Sequence, residues 1–267
     1  VNLRAIAQGA SERNISVAIS SADETKALRA AHAGFWLSPQ TISIGVIGPG
    51  KVGAALLDQL AENAPRLLAE ANIDLRLRAL ASSRRMWLGE HDPDWRANWE
   101  RAGAVDFDAF TAHVHAAHLP HAVIIDCSAN PEVAERYADW LAAGIHVITP
   151  NKQAGSGPIG RYRRIRAAAK AGNARFRYEA TVGAGLPVIQ TLRDLLTTGD
   201  ELHSIEGIFS GTLAWLFNKY DGSQPFSALV REAHALGYTE PDPRDDLSGT
   251  DVARKLVILA REAGLPV

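Results

Sequence analysis

The run Gly48-Pro49-Gly50-Lys51-Val52-Gly53 constrains this chain most, because of what stands on either side of it. Ile42 to Ile47 before it reads as a short apolar strand, and Val52 to about Ala61 after it as a helix. A G-x-G-x-x-G run that leaves a strand and opens a helix is a dinucleotide-binding turn, far more specific than the bare pattern. Gly48 permits the tight turn, Gly50 lets a pyrophosphate approach the backbone, and Gly53 lets the helix pack close to the strand. Lys51 and Val52 then supply the first N–H groups of a helix whose positive end faces the phosphates. The plain alternative is an ordinary glycine-rich turn.

The alternation of strand and helix continues along the chain. Leu75–Ala81 and Ala122–Asp126 read as strands, the second leading to a helix that begins at Asn130-Pro131. Ile145–Ile148, a basic helix over Arg161–Lys170 and Phe176–Tyr178 extend it. Such alternation predicts an α/β fold, a doubly wound parallel sheet with helices on both faces. Residues 82–120 give no clear pattern. The balance of 28 Lys+Arg against 30 Asp+Glu lacks the basic surplus of a nucleic-acid or acidic-membrane partner. No apolar run approaches the roughly 18 residues of a membrane span. One cysteine, Cys127, excludes an internal disulfide and points to a reducing, cytoplasmic setting.

Three segments are expected: 1–37, 38–180 and 181–267. In the first, Ile15–Ile19 alternates like a strand and Asp23–Phe35 reads as a helix capped by Ser21 or Asp23, with a boundary at Ser38-Pro39-Gln40. The start, Val1-Asn2-Leu3-Arg4, has neither an initiator Met nor a signal pattern, so the chain reads as cut from something longer. In the third, Gly183-Ala184-Gly185-Leu186-Pro187 turns into a helix, Ser204–Phe209 reads as a strand and Phe226–Leu236 as a helix. The chain then stops inside this domain, and the piece alone is expected to be incompetent.

In open α/β sheets ligands lie beyond the carboxyl ends of the strands. The second strand ends in Ser82-Ser83-Arg84-Arg85, without the Asp or Glu that usually holds the NAD ribose. Ser82, Arg84 and Arg85 suit the 2′-phosphate of NADP, with NAD also possible; the alternative is two solvated arginines. Asp126-Cys127-Ser128 ends the third strand and Thr149-Pro150-Asn151-Lys152 the next. Ser128 and Lys152 are therefore cofactor-site candidates. Cys127 as a nucleophile is disfavoured against a small buried hydrophobe.

The stretch from Tyr238 to Asp251 carries five carboxylates and one arginine and leads into the last helix. At about 100° per residue, Val252, Leu256, Leu259 and Ala263 form that helix's apolar face, while Arg254 and Arg261 point to water. Lys255 and Asp251 lean together on its inner flank, a costly placement unless they are paired or functional. Other readings stand beside this one. Ser248-x-x-Asp251 resembles a capping box, and Asp242, Asp245 and Asp246 read as a solvated loop, with a divalent cation on their clustered oxygens as a third reading.

The segment Ala233-x3-Gly237-Tyr238-Thr239-Glu240-Pro241-Asp242-Pro243-x2-Asp246-Leu247-x-Gly249-x-Asp251-x3-Lys255 resembles the signature of homoserine dehydrogenases. The glycine turn, Asn151-Lys152 and Glu179–Pro187 match that family in order and spacing, over roughly Ile42 to Val267. Residues 1–37, with Ile6–Glu12, resemble the end of an aspartokinase's ACT-type regulatory region. The resemblance implies a Rossmann-type cofactor domain, an incomplete α+β substrate domain and an ACT-like remnant, from a bifunctional, homo-oligomeric parent. It implies NADP-linked interconversion of L-aspartate 4-semialdehyde and L-homoserine, on the route to threonine and methionine. By analogy Lys255 is the proton donor, Lys152 assists it and touches the cofactor, and Glu240, Asp246 and Asp251 bind substrate. A monovalent cation such as Na⁺ is implied at Glu179 and at the carbonyls of Val182, Ala184 and Leu186; no feature of the residues alone suggests that site. The competing expectations are a dihydrodipicolinate reductase, which the 233–255 signature disfavours, and a non-catalytic nucleotide-binding regulatory module.

Overall fold

A computed structural model describes residues 1–9, 14–36, 40–90, 94–240 and 242–267. The expected boundary at Ser38-Pro39, the matched Ala10, Ser11 and Glu12, and Pro241 of the signature lie outside the described residues. The chain forms two compact units that are not contiguous in sequence. One comprises Val1–Ser128, Asp139–Ile148 and Ala171–Arg175, the other Ala129–Ala138, Thr149–Lys170 and Phe176–Val267.

In the first unit β1 (Leu3–Gln8) pairs antiparallel with β2 (Ile15–Ile19), and the helix Glu24–Trp36 follows a short 3-10 turn. Only β2 and the helix are legible in the sequence; β1 lacks the β-branched alternation of β2 and is fixed by pairing with it. The main sheet then begins with β3 (Gln40–Ile47). It continues with β4 (Ile73–Ala81), β5 (Arg85–Leu88), β6 (Gly103–Ala104), β7 (His121–Asp126) and β8 (His146–Ile148). These six lie side by side in the order β6-β5-β4-β3-β7-β8. β3 runs parallel to β4 and β7, and β7 to β8, while β5 and β6 add an antiparallel edge. The chain goes from β3 to one side, then crosses to β7 on the other. The carboxyl ends of β3 and β7 therefore form a switch point, the place where such sheets bind ligands. Ile44, Val46, Leu57 and Leu80 pack the helix after β3 onto the sheet.

That helix, expected to end near Ala61, runs from Lys51 to Ala71 through Pro65 and stops at Asn72 in the left-handed conformation. Its apolar positions Leu57, Leu60, Ala64 and Leu68 keep helical spacing past the proline. Residues 82–120 are illegible in sequence because their elements are short: besides β5 and β6 they hold the helices Trp95–Glu100 and Phe107–Val114.

The second unit is mostly helical. Its helices include Pro131–Glu135, whose N–H of Glu132 donates to the Asn130 side chain, and Val188–Thr197, Gly211–Lys219, Phe226–Ala235 and Thr250–Glu262. Leu216, Leu229 and Ala233 form a buried cluster. The strand expected at Ser204–Phe209 is absent, so 181–267 holds no strand among its described residues. A strand exists only through a ladder with a neighbour, and among the described residues no segment pairs with this one. The last helix also turns a different face inward. Ile258 and Leu259 are buried, whereas Leu256 is 44% exposed. Arg261 is buried and donates to the carbonyls of Gly155 and Val267. Gly155 permits this close packing, because a Cβ there would come within 2.8 Å of Ile258 Cγ1.

Glu262 closes that helix with a side chain only 3% exposed. It accepts from Arg193 Nε at 2.7 Å and from the Tyr178 hydroxyl, and Arg166 lies 3.7 Å away. Burial alone would raise its pKa; the bonds from Arg193 and Tyr178 outweigh burial and hold it below the usual 4.5. A depressed carboxylate stabilises the fold above its unfolded pKa and loses that contribution as pH falls through its folded pKa. Glu262→Gln is therefore expected to reduce stability at neutral pH and to flatten the decline below about pH 4.5, as read by denaturant titrations at several pH values. An unchanged acid limb would remove Glu262 as its source.

Candidate active site

The cofactor side is built at the switch point. The N–H of Gly48 donates to Ala81 O at 2.8 Å, and that of Cys127 to Ile47 O at 2.8 Å, tying the ends of β3, β4 and β7 together. Gly48 has φ +83°, and a Cβ on it would meet Ser128 N at 2.8 Å. A Cβ on Gly53 would come within 2.1 Å of Gly48 O, so the turn and helix touch through backbone alone. Gly50 differs: a Cβ there meets nothing within 4 Å. This open backbone, with Lys51 and Val52 exposed at the start of the helix, fits a dinucleotide pyrophosphate. Ser128 lies beside the turn, its N–H donating to Asp126 Oδ1 at 2.8 Å. Burial and the Asp126 charge push the Cys127 thiol up to about 11, which leaves it inert as a nucleophile at neutral pH.

Ser82, Arg84 and Arg85 form one tight turn with three different tasks. Ser82 Oγ accepts from the N–H groups of Arg84 and Arg85 at 3.2 and 3.0 Å. The Arg85 guanidinium donates to the carbonyls of Trp99, Glu100 and Ala102. Arg84 is exposed, and its side chain makes no hydrogen bond with a described residue. The sequence presents the two arginines as a pair; the structure engages Nε and Nη2 of Arg85 with carbonyls and leaves the whole Arg84 guanidinium clear of hydrogen bonds to described residues.

The second unit holds the charged site, a cavity of about 480 Å³ lined by Glu240, Asp246, Asp251, Lys255 and the start of the helix Gly211–Lys219. Lys152 reaches it from a braced loop. Thr149 Oγ1 accepts from the N–H of Asn151, Asn151 Oδ1 accepts from that of Gln153, and Asn151 Nδ2 donates to Asn130 O. Lys152 Nζ donates to Glu240 Oε1 at 2.8 Å and stands 3.1 Å from Asp251 Oδ1. Asp251 Oδ2 is 2.6 Å from Lys255 Nζ, which donates at 2.7 Å to Phe209 O. The result is an unbroken chain, Glu240–Lys152–Asp251–Lys255.

Burial favours neutral Lys152, but the hydrogen bond to Glu240 and the charges of Glu240 and Asp251 outweigh it, so its pKa is raised. Burial would likewise raise that of Asp251, and the bond from Lys255 and the charge of Lys152 hold it low instead. Both groups are ionised. The capping-box reading of Asp251 fails: Gly249, at φ +76°, occupies the cap position without a side-chain cap, and the Asp251 carboxylate faces the lysines. Asp246 is buried, with Oδ2 accepting from the N–H of Glu240 at 2.8 Å and Oδ1 2.9 Å from the Thr212 hydroxyl. It thereby fixes the backbone that presents Glu240. Among the described residues no group of three or more His, Cys, Asp or Glu side chains is arranged to hold a metal.

Sequence reasoning missed Ser210-Gly211-Thr212. Ser210 caps the helix by accepting from the N–H of Leu213, Gly211 and Thr212 line the cavity at its N-terminus, and Thr212 holds Asp246. The available signal was a serine cap ahead of an apolar helical run, hidden by the strand expected just before it. At Glu179 both carboxylate oxygens accept N–H groups, from Ile189 and Gln190. The Val182 and Ala184 carbonyls accept no hydrogen bond from a described residue, whereas Leu186 O accepts from the N–H of Val188.

Comparisons with known proteins find three family domains along the chain. The homoserine dehydrogenase NAD-binding domain matches residues 48–179, the homoserine dehydrogenase domain residues 187–267, and an ACT domain residues 1–35. The chain is 53% identical to the Arabidopsis thaliana bifunctional aspartokinase/homoserine dehydrogenase 2, chloroplastic, over 99% of itself and 30% of that protein. It is 45% identical to an Emericella nidulans homoserine dehydrogenase, over 85% of itself and 64% of that protein. A solved Candida auris protein of unknown function aligns with TM-score 0.71 at 36% identity, over 85% of this chain and 64% of that one. The chain thus spans about a third of the bifunctional relative's length. With both dehydrogenase domains matched in order behind an ACT segment, the chain belongs to the homoserine dehydrogenase family.

Proposed function

We propose that this chain is the dehydrogenase part of a bifunctional aspartokinase–homoserine dehydrogenase, and that it interconverts L-aspartate 4-semialdehyde and L-homoserine with NADP. The observation that carries this reading is the chain Glu240–Lys152–Asp251–Lys255 at the cavity wall. When bound, the reduced nicotinamide supplies hydride to an aldehyde carbon, and the aldehyde oxygen then needs a proton. An ammonium has three N–H donors. Lys255 spends two, on Asp251 and Phe209 O, and the third is left to stabilise and protonate the developing alkoxide. Lys152 holds Asp251 in place beside it and adds positive charge.

Three carboxylates and one ammonium line the cavity, with Lys152 paired to Glu240 and Asp251 from beside it, and this negative lining suits a substrate ammonium at Glu240 and Asp251, with Asp246 holding Glu240 in place. The N–H groups of Gly211 and Thr212 suit the substrate carboxylate. The Glu179 loop fits a monovalent cation such as Na⁺, held by the Val182 and Ala184 carbonyls with a second lone pair from Leu186. Glu179 then acts mainly through its hold on the helix Val188–Thr197. A homo-oligomeric parent without nucleic-acid or membrane partners, in a reducing compartment such as the cytoplasm, completes the reading. Among the described residues no helix is long and apolar enough to cross a membrane.

The test is L-homoserine oxidation by the protein that carries this chain, followed as NADPH formation. Turnover is expected, and its absence would overturn the proposal. Arg84→Ala is expected to weaken NADPH binding about 10-fold or more and NADH binding little, since a hydrogen bond to a charged group contributes about 1.5–3 kcal/mol. Equal losses for both cofactors would show that Arg84 does not read the 2′-phosphate.

A further inference from the structure

The residues between the glycine turn and Arg84 form a closed ring of contacts. Gly48 N–H is bonded to Ala81, the last residue of β4, and Ser82 begins the turn that exposes Arg84. The N–H of Ser82 donates to Arg85 O at 2.8 Å, and Ser82 Oγ takes the next two N–H groups, so the turn has little freedom of its own. Arg85 carries the ring onward. Its guanidinium caps the C-terminal end of the helix Trp95–Glu100 and stands 5.1 Å from the centre of the Trp99 ring. The other end of that helix is tied by Asp58. Its Oδ1 accepts from Trp95 Nε1 at 2.9 Å and from Arg96 Nη1 at 2.7 Å, and its Oδ2 accepts from Arg96 Nη2 at 2.8 Å. Asp58 sits on the helix Lys51–Ala71 that the glycine turn opens, which closes the ring.

The charge placement agrees with a bracket rather than an incidental surface cluster. Arg85 donates only to carbonyls at a helix C-terminus, where a cation is favourable. Asp58 is held below the usual carboxylate range by its bonds from Arg96 and Trp95. The short helix Trp95–Glu100 has six residues and cannot hold its position by itself. It is fixed at one end to the helix of the glycine turn and at the other to the Arg84 turn. Of the three arginines in the ring, Arg85 and Arg96 are spent on it, and the Arg84 guanidinium has no hydrogen-bond partner among the described residues.

We propose that Asp58 and Arg85 are positioning residues for cofactor selectivity: they clamp the helix Trp95–Glu100 as a bracket that holds Arg84 at a fixed distance from the glycine turn, so that one dinucleotide meets both. The proposal rests on the NADPH reading of the site. A turn left free must be ordered when its arginine binds a phosphate, whereas a bracketed turn is ordered beforehand, so the bracket acts on the cofactor that carries a 2′-phosphate for Arg84 and not on NADH.

The experiment measures NADPH and NADH dissociation constants by fluorescence titration for the wild type, Arg84→Ala, Arg85→Met, Asp58→Ala and the double variant Arg84→Ala/Arg85→Met, with thermal unfolding of each. Arg85→Met and Asp58→Ala are each expected to reduce NADPH-over-NADH selectivity about 3- to 10-fold, with NADH affinity within about twofold of wild type. In the Arg84→Ala background, Arg85→Met is expected to change selectivity no further, since coupled residues are not additive. Arg85→Lys should restore part of the selectivity. Equal weakening of both cofactors, or full additivity in the double variant, overturns the bracket and leaves a structural role. Arg84→Ala collapsing selectivity while Arg85→Met and Asp58→Ala preserve it overturns the bracket alone. A wild type without NADPH preference, or an Arg84→Ala variant that keeps it, overturns the NADPH reading and the bracket with it.

Discussion

Lys255→Met is expected to lower turnover about 10²–10⁴-fold while leaving cofactor affinity nearly unchanged. Methionine keeps much of the volume and the unbranched stem of lysine, so the side chain still fills its place at the cavity wall, and the proton and the charge are what disappear. Loss of the ammonium removes both the stabilisation of an alkoxide and the proton that quenches it. It also leaves Asp251, only 3% exposed, facing Lys152 without its 2.6 Å partner. Some loss of stability is therefore expected too, since breaking a buried pair leaves an uncompensated charge. Lys152 limits that loss, because its Nζ stands 3.1 Å from the same carboxylate. The decisive comparison is turnover against NADPH affinity in a variant shown to be folded. Near-normal turnover would remove Lys255 as the proton donor. An equal fall in cofactor affinity would point to general disruption.

Gly53→Ala is expected to abolish most cofactor binding and to lower the unfolding temperature as well. The added Cβ falls within 2.1 Å of Gly48 O, a backbone atom that cannot rotate away. Helix and turn must separate, and overpacking of this kind costs about 1–3 kcal/mol. That corresponds to a shift of about 2–12 °C in a unit of this size. The same movement displaces Gly50 and the first N–H groups of the helix from the geometry that a pyrophosphate needs. Gly50→Ala makes the contrast. Its Cβ meets nothing within 4 Å, so the unfolding temperature should hold while dinucleotide affinity falls. A Gly53→Ala protein with normal cofactor affinity would show that the close approach is not needed, and a Gly50→Ala protein with normal affinity would show that no phosphate lies against Gly50.

The α/β alternation and the position of the glycine turn were legible because both are local. An apolar strand, three spaced glycines and a helix are written in consecutive residues, and β3 with the helix after it follow directly. The helix Pro131–Glu135 was announced by Asn130-Pro131 for the same reason, since a cap and a fixed φ act within one turn. The lean of Lys255 toward Asp251 was also local, a matter of four residues on one helix. An element that depends on a partner is not legible in this way. Residues 204–209 have strand-like residues without a strand to pair with. The buried face of Thr250–Glu262 packs Ile258 and Arg261 against Gly155, about a hundred residues away, which no periodicity within the helix records.

The sequence by itself thus determined the order of elements, the phosphate-binding turn and the presence of a lysine and a carboxylate on one helical flank. Tertiary structure decided which charges meet. Lys152 joins Glu240 and Asp251 across about ninety residues, and Asp246 spends both oxygens on Glu240 N–H and Thr212 rather than pairing with a lysine. It also separated two adjacent arginines that look interchangeable in sequence, turning Arg85 onto a helix end and leaving Arg84 exposed. The physical reason is one of range. Propensity, capping and periodicity act over a few residues, so the chain carries them explicitly. An ion pair is fixed only when separate elements pack and bring its charges within a few ångströms, with enough water excluded for the attraction to hold them.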